Sequence, residues 1–178
     1  MQKKDIRNMM KDRKRQFSQQ QLGELSLPIL RRLDENPRLK AAHTLLLYYS
    51  LPDEVDTHTY VDHLLNLGKR ILLPMVVDDE NMIIREYTGK TDLRQGAFHI
   101  WEPTGRIVPP SEYKDIEVGV IPGVSFDKDR NRLGRGKGYY DRFLRQVPHL
   151  YKIGVCFDFQ KTDHLPCEPT DIPMDELA

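Results

Sequence analysis

Three glycines and three basic residues share one short segment of the chain, at a spacing that suits a bound phosphate. The six residues are Arg132, Gly134, Arg135, Gly136, Lys137 and Gly138. Glycine lets backbone N–H groups approach a ligand closely, and a helix that begins after this segment would direct its positive end at the same point. The pattern predicts a polyphosphate site; the alternative is a solvated basic turn whose glycines only permit tight bends.

Familiar motifs of phosphate binding and of covalent catalysis are missing from the sequence. The pattern GxxxxGK[ST] requires Ser or Thr after the lysine, where Gly138 follows Lys137, and GxGxxG has a different spacing. No GxSxG elbow or HExxH pair is present, and Cys156 and Cys167 are not spaced as a CxxC pair. These absences disfavour an enzyme nucleophile and favour phosphoryl transfer by positioning and charge.

Carboxylates on either side of the glycine-rich segment are candidate ligands for Mg²⁺. Asp127 precedes the segment and Asp141 follows it. Magnesium prefers oxygen ligands and usually keeps several waters. Asp141 is the preferred ligand of the two, although an Asp in the first turn of a helix is equally explained by the helix dipole.

A second candidate site lies after the first predicted strand, where ligands of open α/β sheets collect. Glu54 could bind a cationic or N–H-rich group there, while the alternative is a capping loop in which Asp56 or Thr57 caps the next helix. Trp101, the only tryptophan, suits either the core or the wall of a ligand pocket.

The charges of the chain are segregated although their sum is zero. Lys and Arg total 27 and Asp and Glu total 27, which excludes a globally basic nucleic-acid binder. Residues 1–15 and 128–145 are nevertheless strongly basic, whereas residues 158–178 are acidic. We therefore expect the two basic segments to meet something anionic. The N-terminus is charged from Lys3 onward with no apolar signal core, and no run could span a membrane, so the cytoplasm is the expected compartment.

The pattern of apolar residues predicts alternating strands and helices. The predicted helices cover residues 2–17, 18–35 with a kink or break at Pro28, 57–67 and 139–146, and the predicted strands cover 44–49, 70–77, 81–87, 118–121 and 151–157. Residues 88–117 are predicted to be irregular and 165–173 extended. The expected fold is a single α/β domain, residues 1–178, with a layered, mostly parallel or mixed sheet and helices on both faces.

Residues 122–127 and 132–142 together closely resemble the 5-formyltetrahydrofolate cyclo-ligase (5,10-methenyltetrahydrofolate synthetase) family. Supporting matches follow in order along the chain at a basic N-terminal helix, 54–57, 73–75, 101–103, Gln160 and 171–175. Asn131 stands where many members have Gly, and Asn tolerates the left-handed conformation that such a turn would need. The resemblance implies a fold similar to the sugar-phosphate isomerase and CoA-transferase superfamily.

The same resemblance implies an activity and a set of site residues. The activity is ATP- and Mg²⁺-dependent conversion of 5-formyltetrahydrofolate to 5,10-methenyltetrahydrofolate, through phosphorylation of the formyl oxygen. The implied ATP-binding residues are Lys3 or Lys4, Arg7, Arg132, Gly134, Arg135, Gly136, Lys137, Gly138, Tyr139 and Asp141, with Arg132, Arg135 and Lys137 catalytic. The implied folate-binding residues are Glu54, Met75, Trp101, Pro122 and Tyr140, and the implied metal ligands are Asp141 and Asp171.

Two other functions compete with this hypothesis. A paralogue could keep the ATP site and act on another substrate, and a nucleic-acid-binding module could use the basic segment with Tyr139 and Tyr140 as stacking partners. Net neutrality argues against the second. The expected partners are therefore ATP and a reduced folate, with no nucleic acid or membrane, and the expected state is a monomer.

Overall fold

Short apolar runs of the chain form the strands of a seven-stranded sheet and of two small hairpins. A computed structural model describes residues 1–178. The strands are β1 (Thr44–Leu46), β2 (Arg70–Val76), β3 (Met82–Tyr87), β4 (Leu93–Gln95), β5 (Trp101–Pro103), β6 (Ile107–Val108), β7 (Val118–Pro122), β8 (Ser125–Phe126), β9 (Arg132–Leu133), β10 (Tyr151–Val155) and β11 (Glu176–Leu177). The large sheet has the order β11-β10-β7-β1-β2-β3-β6, parallel from β11 to β2 and antiparallel at β3 and β6. The predicted α/β class is confirmed.

Five α-helices accompany the strands. They are α1 (Lys3–Lys14), α2 (Gln19–Asp34), α3 (Pro37–Ala41), α4 (His58–Asn66) and α5 (Tyr139–Arg145). Of the kink or break predicted at Pro28, the break is wrong, because α2 runs through Pro28 as one helix; the kink stays a prediction. Pro28 lies on the exposed side of α2, where water can bond the carbonyl that a proline leaves without an N–H partner.

The central strands are covered on both faces, as their alternating side chains require. Leu45 and Leu47 pack into one buried cluster that includes Val61 of α4. Leu46 points the other way and packs with Phe143 of α5 in a second cluster. Helices α2, α3 and α4 therefore lie on one face of the sheet and α5 on the other.

The switch point of the sheet lies between β1 and β7. These two strands are parallel neighbours, but the chain passes from β1 outward through α4 to β2 and from β7 outward through α5 to β10. The loops that follow β1 and β7 consequently emerge side by side at the carboxyl edge, which is where open α/β sheets bind ligands.

Helix α1 packs against the rest of the protein through a small, separate cluster of buried apolar side chains. Ile6 and Met10 are buried with Leu133 and Leu165, apart from the two larger clusters. Arg13 adds a hydrogen bond from Nη1 to the Phe159 carbonyl at 2.8 Å. This packing turns the basic face of α1 toward the loop that contains β9.

Two regions contain more structure than the sequence predicts. Residues 88–117 hold the β4–β5 hairpin and the edge strand β6, and the loop after β7 holds the β8–β9 hairpin. The left-handed turn residue of that second hairpin is Arg130, with φ 65°, instead of the expected Asn131. Asn131 is held by Asp127, which accepts both its backbone N–H and its side-chain amide.

A core substitution in β1 tests this description of the fold. We expect Leu45→Ala to lower the free energy of unfolding by about 3 kcal/mol, because it leaves a cavity in the central strand. Urea denaturation measures the change. The matched control is Leu27→Ala, whose side chain is 57% exposed on α2; equal losses in the two variants would contradict the placement of Leu45 in the core.

Candidate active site

A cavity of about 700 Å³ lies at the switch point, between the loops that follow β1 and β7. Helix α1 closes one side of it. The cavity is lined by seven cationic side chains and four acidic ones: Lys3, Arg7, Arg132, Arg135, Lys137, Arg142 and Arg145, with Glu54, Asp141, Glu168 and Asp171. The two basic segments of the sequence therefore meet at one place, and the cavity suits an anionic ligand.

The glycine-rich segment lies against two guanidinium groups, those of Arg7 and Arg132. A Cβ added at Gly134 would lie 3.0 Å from Nη1 of Arg132, and one added at Gly136 would lie 3.5 Å from Cζ of Arg7. Arg7 also donates from Nε to the Gly134 carbonyl at 2.8 Å. Gly136 has φ 110°, which side chains of L-residues rarely tolerate. The segment therefore lies beside two cations, while residues 135–137 face solvent at the mouth of the cavity.

Arg132 is a cation without a carboxylate bonded to it. Its Nε donates to the Pro122 carbonyl at 2.7 Å, and its guanidinium lies 4.8 Å from the centre of the Tyr140 ring. Both Nη atoms lack hydrogen-bond partners in the protein. Burial lowers the pKa of Arg132, an effect that the nearby Tyr140 and Asp141 only partly offset, but a guanidinium remains charged in proteins. Arg132 is thus ready to bind an anion in the cavity.

Lys137 and Arg135 differ in how they are held. Lys137 is exposed and makes no ion pair or hydrogen bond. Arg135 instead pairs through Nη2 with Asp53 Oδ1 at 3.0 Å and with Glu54 Oε2 at 3.6 Å. Arg135 therefore joins the loop after β7 to the loop after β1.

Helix α1 presents Lys3 and Arg7 to the cavity, one turn apart on the same face. Lys4 points to solvent and does not line the cavity, so of the alternatives Lys3 and Lys4 the structure places Lys3 at the site. Lys3 Nζ lies 2.7 Å from Asp171 Oδ2 and 3.3 Å from Glu168 Oε1. This contact connects α1 to the C-terminal segment, residues 165–173. The prediction that this segment is extended is wrong at Pro169 and Thr170, which form a turn closed by the Asp171 N–H on the Glu168 carbonyl at 3.0 Å.

Two of the carboxylates that line the cavity have oxygen atoms to spare. Asp141 Oδ1 accepts the N–H of Ile172, and Asp171 Oδ2 accepts from Lys3 and from the N–H of Glu168. Their other oxygens have no protein partner. Burial alone would raise the pKa of Asp171, but the bonds from Lys3 and Glu168 outweigh it and lower that pKa. Two carboxylates with free oxygens fit the donor set that Mg²⁺ prefers.

Asp127, the other flanking carboxylate, serves the fold. Its oxygens accept four N–H groups between 2.9 and 3.0 Å, from Asn131 twice and from Asp129 and Leu165. Burial would raise its pKa, but these donors lower it. Asp127 therefore fastens the β8–β9 turn to the C-terminal segment, and both of its oxygens are engaged in this role.

The low pKa of Asp127 predicts how stability depends on pH. Its ionised form binds the N–H donors only in the folded protein, so this contribution is present above about pH 4 and is lost at lower pH. We expect Asp127→Asn to cost about 2 kcal/mol of unfolding free energy at pH 7, with a smaller loss at pH 3. Urea denaturation at both pH values checks this, with the exposed Asp163→Asn as control. A loss that is equal at both values would contradict it.

Glu54 lies between the large cavity and a smaller one of about 300 Å³ that shares Tyr49, Leu51 and Trp101 with it. The side chain of Glu54 is 14% exposed, and Oε1 accepts the N–H of Leu51 at 2.8 Å. Burial raises the pKa of Glu54. Glu54 thus faces the cavity, where it could bind an N–H-rich ligand. The capping alternative for this loop also has support, because Asp56 Oδ1 accepts the N–H of His58, the first residue of α4, at 3.1 Å.

Of the other residues predicted to contact the folate, three line the cavity and one does not. Trp101, Pro122 and Tyr140 line the cavity. Met75 does not, which corrects that prediction: Pro74 and Val76 line it instead, and successive side chains of a strand point to opposite faces.

The turn between β2 and β3 also reaches the site, a contact that sequence reasoning missed. Tyr139 donates from its hydroxyl to the Asp78 carbonyl at 2.8 Å, and Arg142 donates from Nε to the Glu80 carbonyl at 2.9 Å. The Arg142 guanidinium lies over the Tyr139 ring. Tyr139 and Arg142 are three residues apart on α5 and so lie on one face of the helix. This spacing is the only feature of the sequence that could have indicated the shared contact with the β2–β3 turn. Tyr139 thus lines the cavity, as predicted, while supporting its rim.

Comparison with known proteins agrees with this geometry. The model of the 5-formyltetrahydrofolate cyclo-ligase family matches residues 1–178. A 5-formyltetrahydrofolate cyclo-ligase of Escherichia coli K12 is 30% identical over 171 residues, which cover 93% of this chain and 93% of the relative. No helix of the structure is long and apolar enough to cross a membrane.

Solved structures point to the same family. The NMR structure of Aquifex aeolicus 5,10-methenyltetrahydrofolate synthetase has a TM-score of 0.84 and 34% identity, covering 99% of this chain and 89% of that one. A 5,10-methenyltetrahydrofolate synthetase from Mycoplasma pneumoniae has a TM-score of 0.79 and 27% identity, covering 99% and 98%. Because the family model matches residues 1–178 and these solved structures share the fold, the chain belongs to the 5-formyltetrahydrofolate cyclo-ligase family.

Proposed function

We propose that the cavity between the loops after β1 and β7 binds ATP and 5-formyltetrahydrofolate together and closes the folate ring. The family converts 5-formyltetrahydrofolate to 5,10-methenyltetrahydrofolate, with ATP as co-substrate. The observation that carries the proposal for this cavity is the meeting of Arg7 on α1 with the glycine-rich segment, in a cavity that Glu54 also lines. The cavity offers cations to a triphosphate, and it offers the carboxylate of Glu54 to the N–H groups of a pterin.

Phosphoryl transfer is the step that the cations of the cavity can promote. The formyl oxygen attacks the γ-phosphorus of ATP, ADP leaves, and an imidoyl phosphate of the folate forms. Charge on the transferred group is spread over its oxygens, so catalysis depends on positioned positive charge. We assign this role to Arg132, Arg135 and Lys137, with Lys3 and Arg7 holding the nucleotide phosphates.

Ring closure then follows without a group from the enzyme. N10 of the folate attacks the activated carbon, the C–O bond breaks, phosphate leaves with the formyl oxygen, and N10 loses its proton. Glu54 would orient the pterin, and Trp101, Pro122 and Tyr140 would line the folate pocket. The absence of a nucleophile motif in the sequence is consistent with this scheme.

Asp141 and Asp171 would hold Mg²⁺ beside the triphosphate. The ion, when bound, would neutralise negative charge on the phosphate oxygens. The free carboxylate oxygens of both residues support this assignment. Lys3 keeps Asp171 ionised, so that the residue is in the form that binds a cation.

We further propose that residues 1–178 act as a single domain and as a cytoplasmic monomer that binds no nucleic acid. Three features support this: the net charge is zero, the excess positive charge lies inside a cavity, and the two cysteines are unpaired.

The growth of the methenyl-folate absorbance band tests the proposed function. We expect the band to appear when the purified protein receives 5-formyltetrahydrofolate, ATP and Mg²⁺, and to be lost when ATP is omitted. ADP release across a small panel of reduced folates would show whether this folate is preferred. Folded protein that binds ATP but produces no band with 5-formyltetrahydrofolate would overturn the assignment of its substrate.

A further inference from the structure

Asp53 connects three parts of the candidate site. It follows β1, next to Glu54 in the chain. Its Oδ1 lies 3.0 Å from Nη2 of Arg135 in the glycine-rich segment, and its Oδ2 lies 3.4 Å from Nζ of Lys14 on α1. Burial would raise the pKa of Asp53, but these two cations outweigh it and lower that pKa. One ionised carboxylate therefore joins the loop after β1, the loop after β7 and α1.

Arg135 depends on this contact for its position. It lies between Gly134 and Gly136, which restrain the backbone weakly, and its side chain is half exposed. Its acidic partners are Asp53 and Glu54, of which Asp53 is closer. A long side chain on a glycine-rich segment loses its fixed direction when its nearest partner is removed.

We propose that Asp53 is a positioning residue that directs Arg135 along the boundary between the nucleotide and folate sites and keeps it from pairing fully with Glu54. The inference rests on the proposed function of this cavity. Lys14, whose side chain is only 11% exposed, holds Asp53 from the other side.

Loss of the Asp53 charge would affect both ligands. Arg135 would keep Glu54 as its only carboxylate partner and would move toward it. An arginine on Glu54 competes with the N–H groups of a pterin, and the same movement withdraws a cation from the phosphates. A residue that merely stabilised the loop would not couple the two losses through Arg135.

Binding affinities of single and double variants test the proposal. The probes are a non-hydrolysable ATP analogue with Mg²⁺, and 5-formyltetrahydrofolate, each titrated by calorimetry. We expect Asp53→Asn to weaken the binding of both by about tenfold. In an Arg135→Ala background the same substitution should weaken neither by more than about twofold, because the residue through which Asp53 acts is gone. The control is Asp158→Asn, which also removes a carboxylate paired with two cations, Arg32 and Lys161, but none of these three residues lines the cavity.

The outcomes separate this proposal from the proposed function. Asp53→Asn that folds with an unchanged melting temperature yet binds both ligands as the wild type does would overturn it. So would a loss of affinity that is the same with and without Arg135. The methenyl band is measured for the wild type in parallel: its absence overturns the proposed activity, whereas its presence with either contrary binding result overturns the role of Asp53 alone.

Discussion

Arg132→Gln is expected to lower kcat by about 1,000-fold while leaving the protein folded. Arg132 has two Nη groups with no partner in the protein, and it stands beside Tyr140 at the wall of the cavity. A guanidinium in that position can follow the negative charge as it develops on the transferred phosphoryl group, and a neutral amide cannot. The side chain contributes one hydrogen bond to the fold, to the Pro122 carbonyl, which is worth about 1 kcal/mol.

The measurement is the initial rate of methenyl-folate formation at saturating ATP and folate. Arg38→Gln is the matched control, because Arg38 also stacks on a tyrosine, at 4.4 Å from the Tyr151 ring, but lies outside the cavity. We expect this control to retain full activity. An Arg132→Gln variant with more than about one tenth of the wild-type kcat would show that Arg132 does not act on the transferred group.

Lys137→Ala is expected to raise the KM for ATP by about 10- to 100-fold. Lys137 is the cation of the glycine-rich segment that has no partner in the protein, so a phosphate would not have to displace an existing ion pair. Removal of the Lys137 side chain therefore abolishes its contact with the ATP phosphates and leaves the stability of the fold unchanged.

ATP titrations of the initial rate, at saturating folate, measure this effect. Lys128→Ala is the control, since Lys128 belongs to the same basic segment but pairs with Asp163 away from the cavity. An unchanged KM for ATP in Lys137→Ala would remove Lys137 from the nucleotide site. A rise of similar size in both variants would indicate a general effect of surface charge.

The strands with long apolar runs and the helices with clear start signals were predictable from the sequence. β2 and β3 end within a residue of their predicted bounds, and α5 begins at Tyr139 as expected. β4, β6 and β8 were not predictable, because two or three residues carry no periodicity and such strands depend on their partners. The likeness to the sugar-phosphate isomerase and CoA-transferase superfamily stays a prediction.

The site was predictable where its chemistry is local, and less so where it depends on packing. The glycines and basic residues of the glycine-rich segment were enough to predict a polyphosphate site. Lys3 lines the cavity and Lys4 does not, because the apolar residues of α1 determine which face of the helix is buried. Pro74 lines the cavity in place of Met75, because neighbouring side chains of β2 point to opposite faces of the sheet. Asp53 could not have been identified from the sequence, since its partners, Lys14 and Arg135, lie 39 and 82 positions away.

Transfer of the formyl oxygen to phosphate is the most direct consequence of a cavity that phosphorylates the folate. The protein is given 5-formyltetrahydrofolate labelled with ¹⁸O in the formyl group, together with unlabelled ATP, Mg²⁺ and water, and the released phosphate is analysed by mass spectrometry. We expect one ¹⁸O atom in each phosphate, in equal number to the methenyl-folate formed. Unlabelled phosphate released with methenyl-folate would mean that the formyl oxygen never reaches the γ-phosphorus and would contradict the mechanism.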